Sequence, residues 1–357
     1  MIMMLKMMFV IKKRFNVNCF HSRVSQLLSS RALISALIGV LVLPTQVAAD
    51  YSNHPAAQAL IDGLVSEHGF TAEQVKVVLA EADTEQRILD SMTNAAEKTK
   101  TWTAYRRSFL SPIRITQGVK FLAEYDSVFD QVEQQYGVPR EIITAILGVE
   151  TNYGGYTGKA SVLDALATLA FEHPRRSRFF TSELAEFIVL CREQQWSAEQ
   201  RLGSYAGAMG MSQFMPSNYR RLAVDGNGDG QVDLFEPVDA IYSIANYFVH
   251  HGWVLNGPVT SRAAVNVDFD ASVIGKGLQP NYSVEALKLA GYHPQDQPPA
   301  EEKARVIRFN DTDGDEFWLG YQNFYVISRY NPRSKYAMAV YQLSQAIVTA
   351  AHEASKP

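Results

Sequence analysis

Between Asp225 and Glu236 the chain reads DGNGDGQVDLFE, and no other stretch restricts its folding as tightly. Asp225, Asn227 and Asp229 stand at positions 1, 3 and 5, Gly230 at 6 and Glu236 at 12. This spacing gathers side-chain oxygens about one centre, adds the Gln231 carbonyl at position 7 and closes with a carboxylate able to bind through both oxygens. It is the hard-oxygen cage of an EF-hand-like calcium loop. Gly230 permits the sharp turn, and Asp233 is placed to act through water. The flanks, PSNYRRLAV and PVDAIYSIANYFVHH, read as helices, so a helix-loop-helix is expected. A later acidic stretch, DTDGDEFWLGYQ from Asp311, has Glu316 where the turn needs glycine and Gln322 where the carboxylate belongs. It reads as a turn between strands. A single loop of the first kind staples a fold, whereas sensors pair their loops and expose a Met-rich groove. The plain alternative is an acidic, glycine-rich surface turn without metal.

Around the loop the patterning is mainly helical. Segments from Pro55 to about Ala95, from Gln117 to Tyr136, from Pro139 through GVPREIITAILGVE, and over Ser161–Phe171, Phe179–Gln195 and Val238–His251 carry apolar residues at helical spacing. Thr71, with Gln74 three residues on, predicts a capped helix start. TWTAYRRSFLSPIRI lacks clean periodicity and reads as a surface connection. After Trp253 the texture becomes strand-and-turn: GPVTSRAAVNVDFD, ARVIRFND and EFWLGYQNFYVISRY are short, β-branched or aromatic, and broken by Gly, Pro and Asp. KYAMAVYQLSQAIVTAAHEA closes the chain as a helix. The expectation is a mainly α (α+β) protein divided into a leader (1–49), a helical domain (50–116), a core (117–254) containing the loop 225–236, a small β-containing subdomain (255–330) and a C-terminal helix packing back on the core (331–357).

The leader holds six Lys/Arg and no Asp or Glu, then the apolar run Leu33–Leu43 and a V-A-A site before Asp50. That order reads as a cleavable export signal, too short for a comfortable membrane span; an uncleaved anchor is the alternative. Without its six positive charges the net charge goes from -4 to -10, which excludes non-specific nucleic-acid binding as a natural role. Cys19 leaves with the leader, so Cys191 has no intrachain partner and reads as a buried, inert thiol. The mature chain is expected to be exported, soluble and monomeric.

Two stretches carry chemistry. In ILGVETNYGG, Glu150 follows an oily helix, where desolvation raises a carboxyl pKa. A carboxyl kept protonated near neutral pH is what the poor leaving oxygen of a glycosidic bond requires. In GSYAGAMGMSQFMPSNY, Gly203–Tyr219, small residues let a ligand approach the backbone, Met and Phe side chains form an apolar wall, and Gln213 can donate to and accept from an acetamido group. Each has a plainer reading, a solvated helix end for the first and a tight helix-packing segment for the second.

GVETNYG, ATLAFEHPRRSRFF, GSYAGAMGMSQFMPSNY, the acidic loop, DAIYSIANYFVHHGW and NFYVISRYN...YAMAVYQL follow one another in an order that resembles the membrane-bound lytic murein transglycosylase B family and its soluble relatives. The resemblance runs from about Pro55 onward. It implies a lysozyme-like helical core with an added helical domain. It also implies cleavage of the β-1,4 bond between N-acetylmuramic acid and N-acetylglucosamine in peptidoglycan, leaving a 1,6-anhydro end, with no organic cofactor, one structural Ca2+ and a periplasmic site of action. By the matching motifs, Glu150 is the single catalytic acid and then base. Ser204 and Gln213 hold the acetamido group, Phe214 is the adjacent wall, and Arg175 and Arg176 face substrate carboxylates. Tyr105, Tyr247, Tyr325 and Tyr330 are weaker substrate-stacking candidates. The partners implied are peptidoglycan strands and other cell-wall enzymes. The lipid-attachment cysteine of membrane-bound members is missing, so anchoring is not implied. A hydrolytic muramidase, pairing Glu150 with Asp164 or Glu172, and a non-catalytic calcium-dependent glycan-binding protein are the alternatives.

Overall fold

The apolar periodicities resolve into helices and two small sheets in a computed structural model that describes residues 50–93, 100–311 and 314–356. The leader expected over 1–49, with Cys19, lies outside the described residues. Three helices come first, α1 (Ala57–His68), α2 (Ala72–Ala80) and α3 (Gln86–Thr93). Thr71 caps α2 as predicted: its hydroxyl accepts from the Gln74 amide, and its own N–H donates to the Gln74 side chain.

The stretch expected to be a surface connection is instead α4 (Trp102–Phe109), capped by Thr101 and burying Trp102 and Tyr105. Trp102, Tyr105 and Phe109 recur at i, i+3 and i+7, a helical face whose aromatic members are separated by Thr and Arg. The single helical stretch expected over 117–136 is two helices, α5 (Pro112–Glu124) and α6 (Asp126–Tyr136), meeting at Tyr125.

Next comes α7 (Arg140–Thr151), buried at every position from Ile142 to Gly148. A helix apolar all round must be packed all round, and α5, α6 and α11 (Pro237–His250) surround it together with the C-terminal α14 (Ser334–Ala354). Its N-terminus has no side-chain cap of its own. Glu133 of α6 replaces one, accepting from the Arg140 amide at 2.7 Å while its other oxygen takes the Arg140 guanidinium. Between them run α8 (Val162–Glu172), α9 (Ser177–Glu193) and α10 (Pro216–Leu222), with the two-residue strands β1 (Ala160–Ser161) and β2 (Leu202–Gly203) paired antiparallel. Glu183 of α9 accepts from the Ser217 amide and hydroxyl at the start of α10. Cys191 is buried and unbridged, and burial pushes its thiol up to about 12.

The remainder forms a five-stranded antiparallel sheet ordered β4-β6-β7-β3-β5. Its strands are β3 (Thr260–Val265), β4 (Tyr282–Ser283), β5 (Tyr292–Pro294), β6 (Lys303–Asp311) and β7 (Gly314–Gly320). Together with α12 (Val284–Leu289) it encloses a small core of its own that includes Leu287, Val306 and Leu319. The opposite face of β6 sends Ile307 and Phe309 into the main helical core. There Phe309 stacks on Trp102 at 4.5 Å. Asp311 pairs with Gly314; Thr312 and Asp313, where a turn is expected in the second acidic stretch, lie outside the described residues.

Strand texture misled beyond Tyr321, because QNFYVISRY is helix α13 (Gln322–Tyr330), burying Asn323, Phe324, Val326, Ile327 and Ser328. Packing between the sheet and α14 overrides its β-branched and aromatic composition. Among the described residues no helix is long and apolar enough to cross a membrane.

Candidate active site

Glu150 is the penultimate residue of α7 and half-buried. The two residues that end the helix, Asn152 (φ 52°) and Tyr153 (φ 59°), both lie in the left-handed region, uncommon for residues with a Cβ. Packing holds them there. The Tyr153 ring wedges between α5 and α7, where an added Cβ at Gly118 or Gly148 would come within 2.7 or 2.6 Å of its hydroxyl. That hydroxyl donates to the Arg114 carbonyl at 2.9 Å. Thr151 donates to the Met211 carbonyl at 3.0 Å and accepts from the Gly154 amide at 3.0 Å. The backbone carrying Glu150 is thus tied on one side to α5 and on the other to the glycine-rich segment, as a precise site requires.

Facing Glu150 is a residue the sequence reading missed. Tyr336 of α14 is 2% exposed, and its hydroxyl donates to Glu150 Oε1 at 2.5 Å. Burial first, and then the charge of Glu150, push the phenols of Tyr336 and Tyr330 well above their ordinary value, so both stay protonated. Tyr336→Phe removes the donor with little change in shape. A loss in kcat of about tenfold or more is expected from misplacing the carboxyl, with the pH profile displaced upward because a hydrogen bond to the charged form is lost. An unchanged profile and kcat would limit Tyr336 to packing.

In the glycine-rich segment the space beside three glycines is filled by the chain itself: an added Cβ at Gly203, Gly207 or Gly210 would lie 2.4 Å from the Ala208 carbonyl oxygen, 2.5 Å from Leu166 or 2.5 Å from Leu234. Ser204 Oγ accepts from the Ala206 and Ala208 amides at 3.3 and 3.0 Å, which leaves its hydrogen to donate. Gln213 sits at φ 51°, and its amide nitrogen donates to the Thr157 and Gly210 carbonyls at 3.0 and 2.9 Å. With both N–H groups engaged, its side chain is an acceptor here, narrower than the donor-and-acceptor role expected. Tyr330 donates to the Ser212 carbonyl at 2.9 Å. The charges acting on its phenol are those of Glu150 and Tyr247.

Several candidates lie deeper or further out. Phe214 is 2% exposed and packs against Tyr247 and Tyr330, at 5.5 and 5.9 Å between centroids. It supports the wall from behind and does not form its face. Tyr247 is likewise buried, donating to the Arg329 carbonyl at 2.7 Å. The His251 ring packs tilted against it, 4.3 Å between centroids, and is pushed down to about 4, by burial first and then by His250, Arg329 and Arg221. Tyr105 is buried beside Trp102 and Phe109. Tyr105 and Tyr247, suggested as sugar-stacking surfaces, and Phe214, suggested as a wall, are buried, while Tyr325 and Tyr330 remain half-exposed. Arg175 and Arg176 are both exposed, with Arg176 lying 4.6 Å over the Phe179 ring. Of the suggested second carboxylates, Asp164 accepts from the Asp83 amide at 2.9 Å and Glu172 is exposed at the end of α8.

The acidic loop lies between α10 and α11, in the predicted order of helix, loop and helix. Asp225 accepts from the Gly228 and Gly230 amides at 2.7 and 2.8 Å, Asn227 from Asp229 at 2.9 Å, and Asp229 from Gln231 at 2.8 Å. Gly228 and Gly230 take the positive φ that this winding needs. Glu236 caps α11 by accepting from the Asp239 amide at 3.0 Å. The carboxylate reaching back into the loop is that of Asp239, 1% exposed, which accepts from Gly226 at 2.8 Å and Asp233 at 2.7 Å. Among the described residues no three His, Cys, Asp or Glu side chains converge as a metal cage.

One carboxyl at the end of a buried helix, met by a buried phenol and bordered by a glycine-rich segment, on a mostly helical frame, defines an enzyme of the lysozyme-like class. Residues 52–345 match the transglycosylase SLT domain, and the chain belongs to that family. It is 41% identical over 314 residues to membrane-bound lytic murein transglycosylase B of Escherichia coli strain K12, covering 85% of this chain and 86% of that one. Among solved structures, catenated lytic transglycosylase SltB1 from Pseudomonas aeruginosa superposes with a TM-score of 0.80 at 42% identity, over 85% of this chain and all of that one. The E. coli lytic transglycosylase Slt35 in complex with calcium gives 0.77 at 41% identity, over 86% and 97%.

Proposed function

We propose that the protein cleaves the β-1,4 bond between N-acetylmuramic acid and N-acetylglucosamine in murein without consuming water, and that Glu150 alone moves the proton. Protonated Glu150 gives its proton to the glycosidic oxygen as the C1–O bond breaks. Its carboxylate then takes the proton of the muramoyl 6-hydroxyl, whose oxygen bonds to C1 and closes the 1,6-anhydro ring. The proton given first is thereby recovered. The observation that carries this reading is the seating of Glu150, fixed through Thr151 and Tyr153 and met by the Tyr336 hydroxyl. Ser204 and Gln213 supply a donor and an acceptor suited to an acetamido group, and Arg175 and Arg176 are exposed for substrate carboxylates. Family membership supports the same substrate and an exported, periplasmic site of action. Mass analysis of digested sacculi tests it: anhydro ends are expected, and reducing ends would indicate a muramidase.

The loop residues fit a structural Ca2+. Asp225, Asn227, Asp229 and the Gln231 carbonyl provide hard oxygens on an already wound backbone. Glu236 is the carboxylate that would close the site, and Asp239 braces the loop backbone by accepting from Gly226 and Asp233. Bound to the native state alone, calcium at about 100 times its Kd adds roughly 2.7 kcal/mol, or about 5 °C in Tm for a domain of this size. Thermal melts with calcium and with chelator should differ by that much. Coincident curves would count against a stabilising ion.

A further inference from the structure

The aromatic rings suggested for stacking on sugars are buried or half-exposed, but the chain presents other aromatic surface beside the candidate site. All 17 tyrosines fall among the described residues, and of them Tyr156 and Tyr205 alone are exposed, at 62% and 43%. Tyr156 lies six residues after Glu150, and Tyr205 directly follows Ser204.

Neither ring hangs on a loose segment. The Tyr156 amide donates at 2.9 Å to the carbonyl of Thr151, the neighbour of Glu150. The carbonyl of the next residue, Thr157, accepts from Gln213 Nε2 at 3.0 Å. Two consecutive residues thus bridge the end of α7 and the glycine-rich segment, with Tyr156 at the join. Gly158 then runs so close to that segment that an added Cβ would lie 2.0 Å from the Gly203 carbonyl oxygen and 2.6 Å from the Ser204 nitrogen. Across this contact, Tyr205 occupies the corner of a tight turn in which the Gly207 amide donates to the Ser204 carbonyl at 2.9 Å. The Ser204 hydroxyl braces the same turn by accepting from Ala206 and Ala208.

Single exposed apolar side chains are ordinary on a protein surface. Here the two exposed tyrosines of the whole chain fall on the two segments that carry Glu150 and Ser204. A ring on a braced backbone has already given up freedom that binding would otherwise cost. Its face offers apolar area to the C–H face of a sugar, while its hydroxyl stays in water. We propose that Tyr156 and Tyr205 form an aromatic rim on which sugar rings of the glycan strand stack, adding to substrate affinity and taking no part in the proton transfers. That the ligand is a glycan rests on the function proposed above; the seating and exposure of the two rings do not.

The test uses the full-length protein carrying Tyr156→Ala and Tyr205→Ala together, with Tyr156→Phe and Tyr205→Phe together as the control that keeps both rings. In a Glu150→Gln background, which blocks turnover, calorimetric titration with peptide-stripped murein strands should show affinity about tenfold weaker for the Ala pair and within about twofold of the parent for the Phe pair. With Glu150 in place, the Ala pair should raise KM by a similar factor while kcat and the pH profile stay unchanged, because the binding lost is shared by ground and transition states. Both positions are exposed, so the melting temperature should stay within about 2 °C. Parental affinity and KM in the Ala pair, or an equal loss in the Ala and Phe pairs, overturns the rim. A parent that binds the strands but releases reducing ends would defeat the proposed reaction and leave the rim standing.

Discussion

Glu150→Gln should abolish murein cleavage, lowering kcat by about 10²–10⁴-fold, the range for a general acid-base group. The upper end is expected because one residue serves in both halves of the reaction. The amide keeps the shape of the side chain and can still accept from Tyr336 through its oxygen. Melting temperature should therefore stay within about 2 °C, as for substitutions that open no cavity, and glycan strands should still bind. Lost turnover with retained fold and binding separates catalysis from the reading of a calcium-dependent glycan-binding protein. A variant as active as the parent would remove Glu150 from the mechanism.

Phe214→Ala should be the most damaging substitution to stability. The ring is 2% exposed and packed against Tyr247 and Tyr330, so truncation leaves a cavity where the glycine-rich segment meets α11 and α13. Losses for buried phenylalanines run to about 3–5 kcal/mol, measurable as a shift in the denaturant midpoint at constant slope. Activity should fall with the folded fraction. A raised KM with unchanged stability would restore Phe214 to the substrate-facing role that the motif alone suggested.

The contrast between these two positions shows what a sequence discloses. Glu150 stands out as a candidate because it ends the oily run IITAILGV inside one of the ordered motifs that carry the family resemblance; the helix end alone reads equally as a solvated position. The helix-loop-helix around the acidic stretch was legible because its pattern is local in the chain. Phe214 and the tyrosines were not, since whether an aromatic ring lines a cleft or fills the space behind it depends on elements far away in sequence. Tyr336 was missed for the same reason: in YAMAVYQL it occupies an ordinary core position, and its partner is 186 residues away. Asp239 escaped because the twelve-residue pattern ends at Glu236, before the helix that turns the later carboxylate back toward the loop. Helices were legible where their apolar face was aliphatic. Where it was aromatic, as in α4, or β-branched and aromatic, as in α13, composition pointed away from the structure that packing imposes.

The central claim is that the bond is broken without water and by one carboxyl. Digestion of purified sacculi in 18O-labelled water addresses it most directly, because hydrolysis places one solvent oxygen on the anomeric carbon of each new reducing end and internal attack by the 6-hydroxyl places none. The mechanism predicts anhydro ends free of label throughout the digest. Label entering the new ends in proportion to the bonds cleaved would contradict it and would require a water-activating group that the proposed mechanism does not contain.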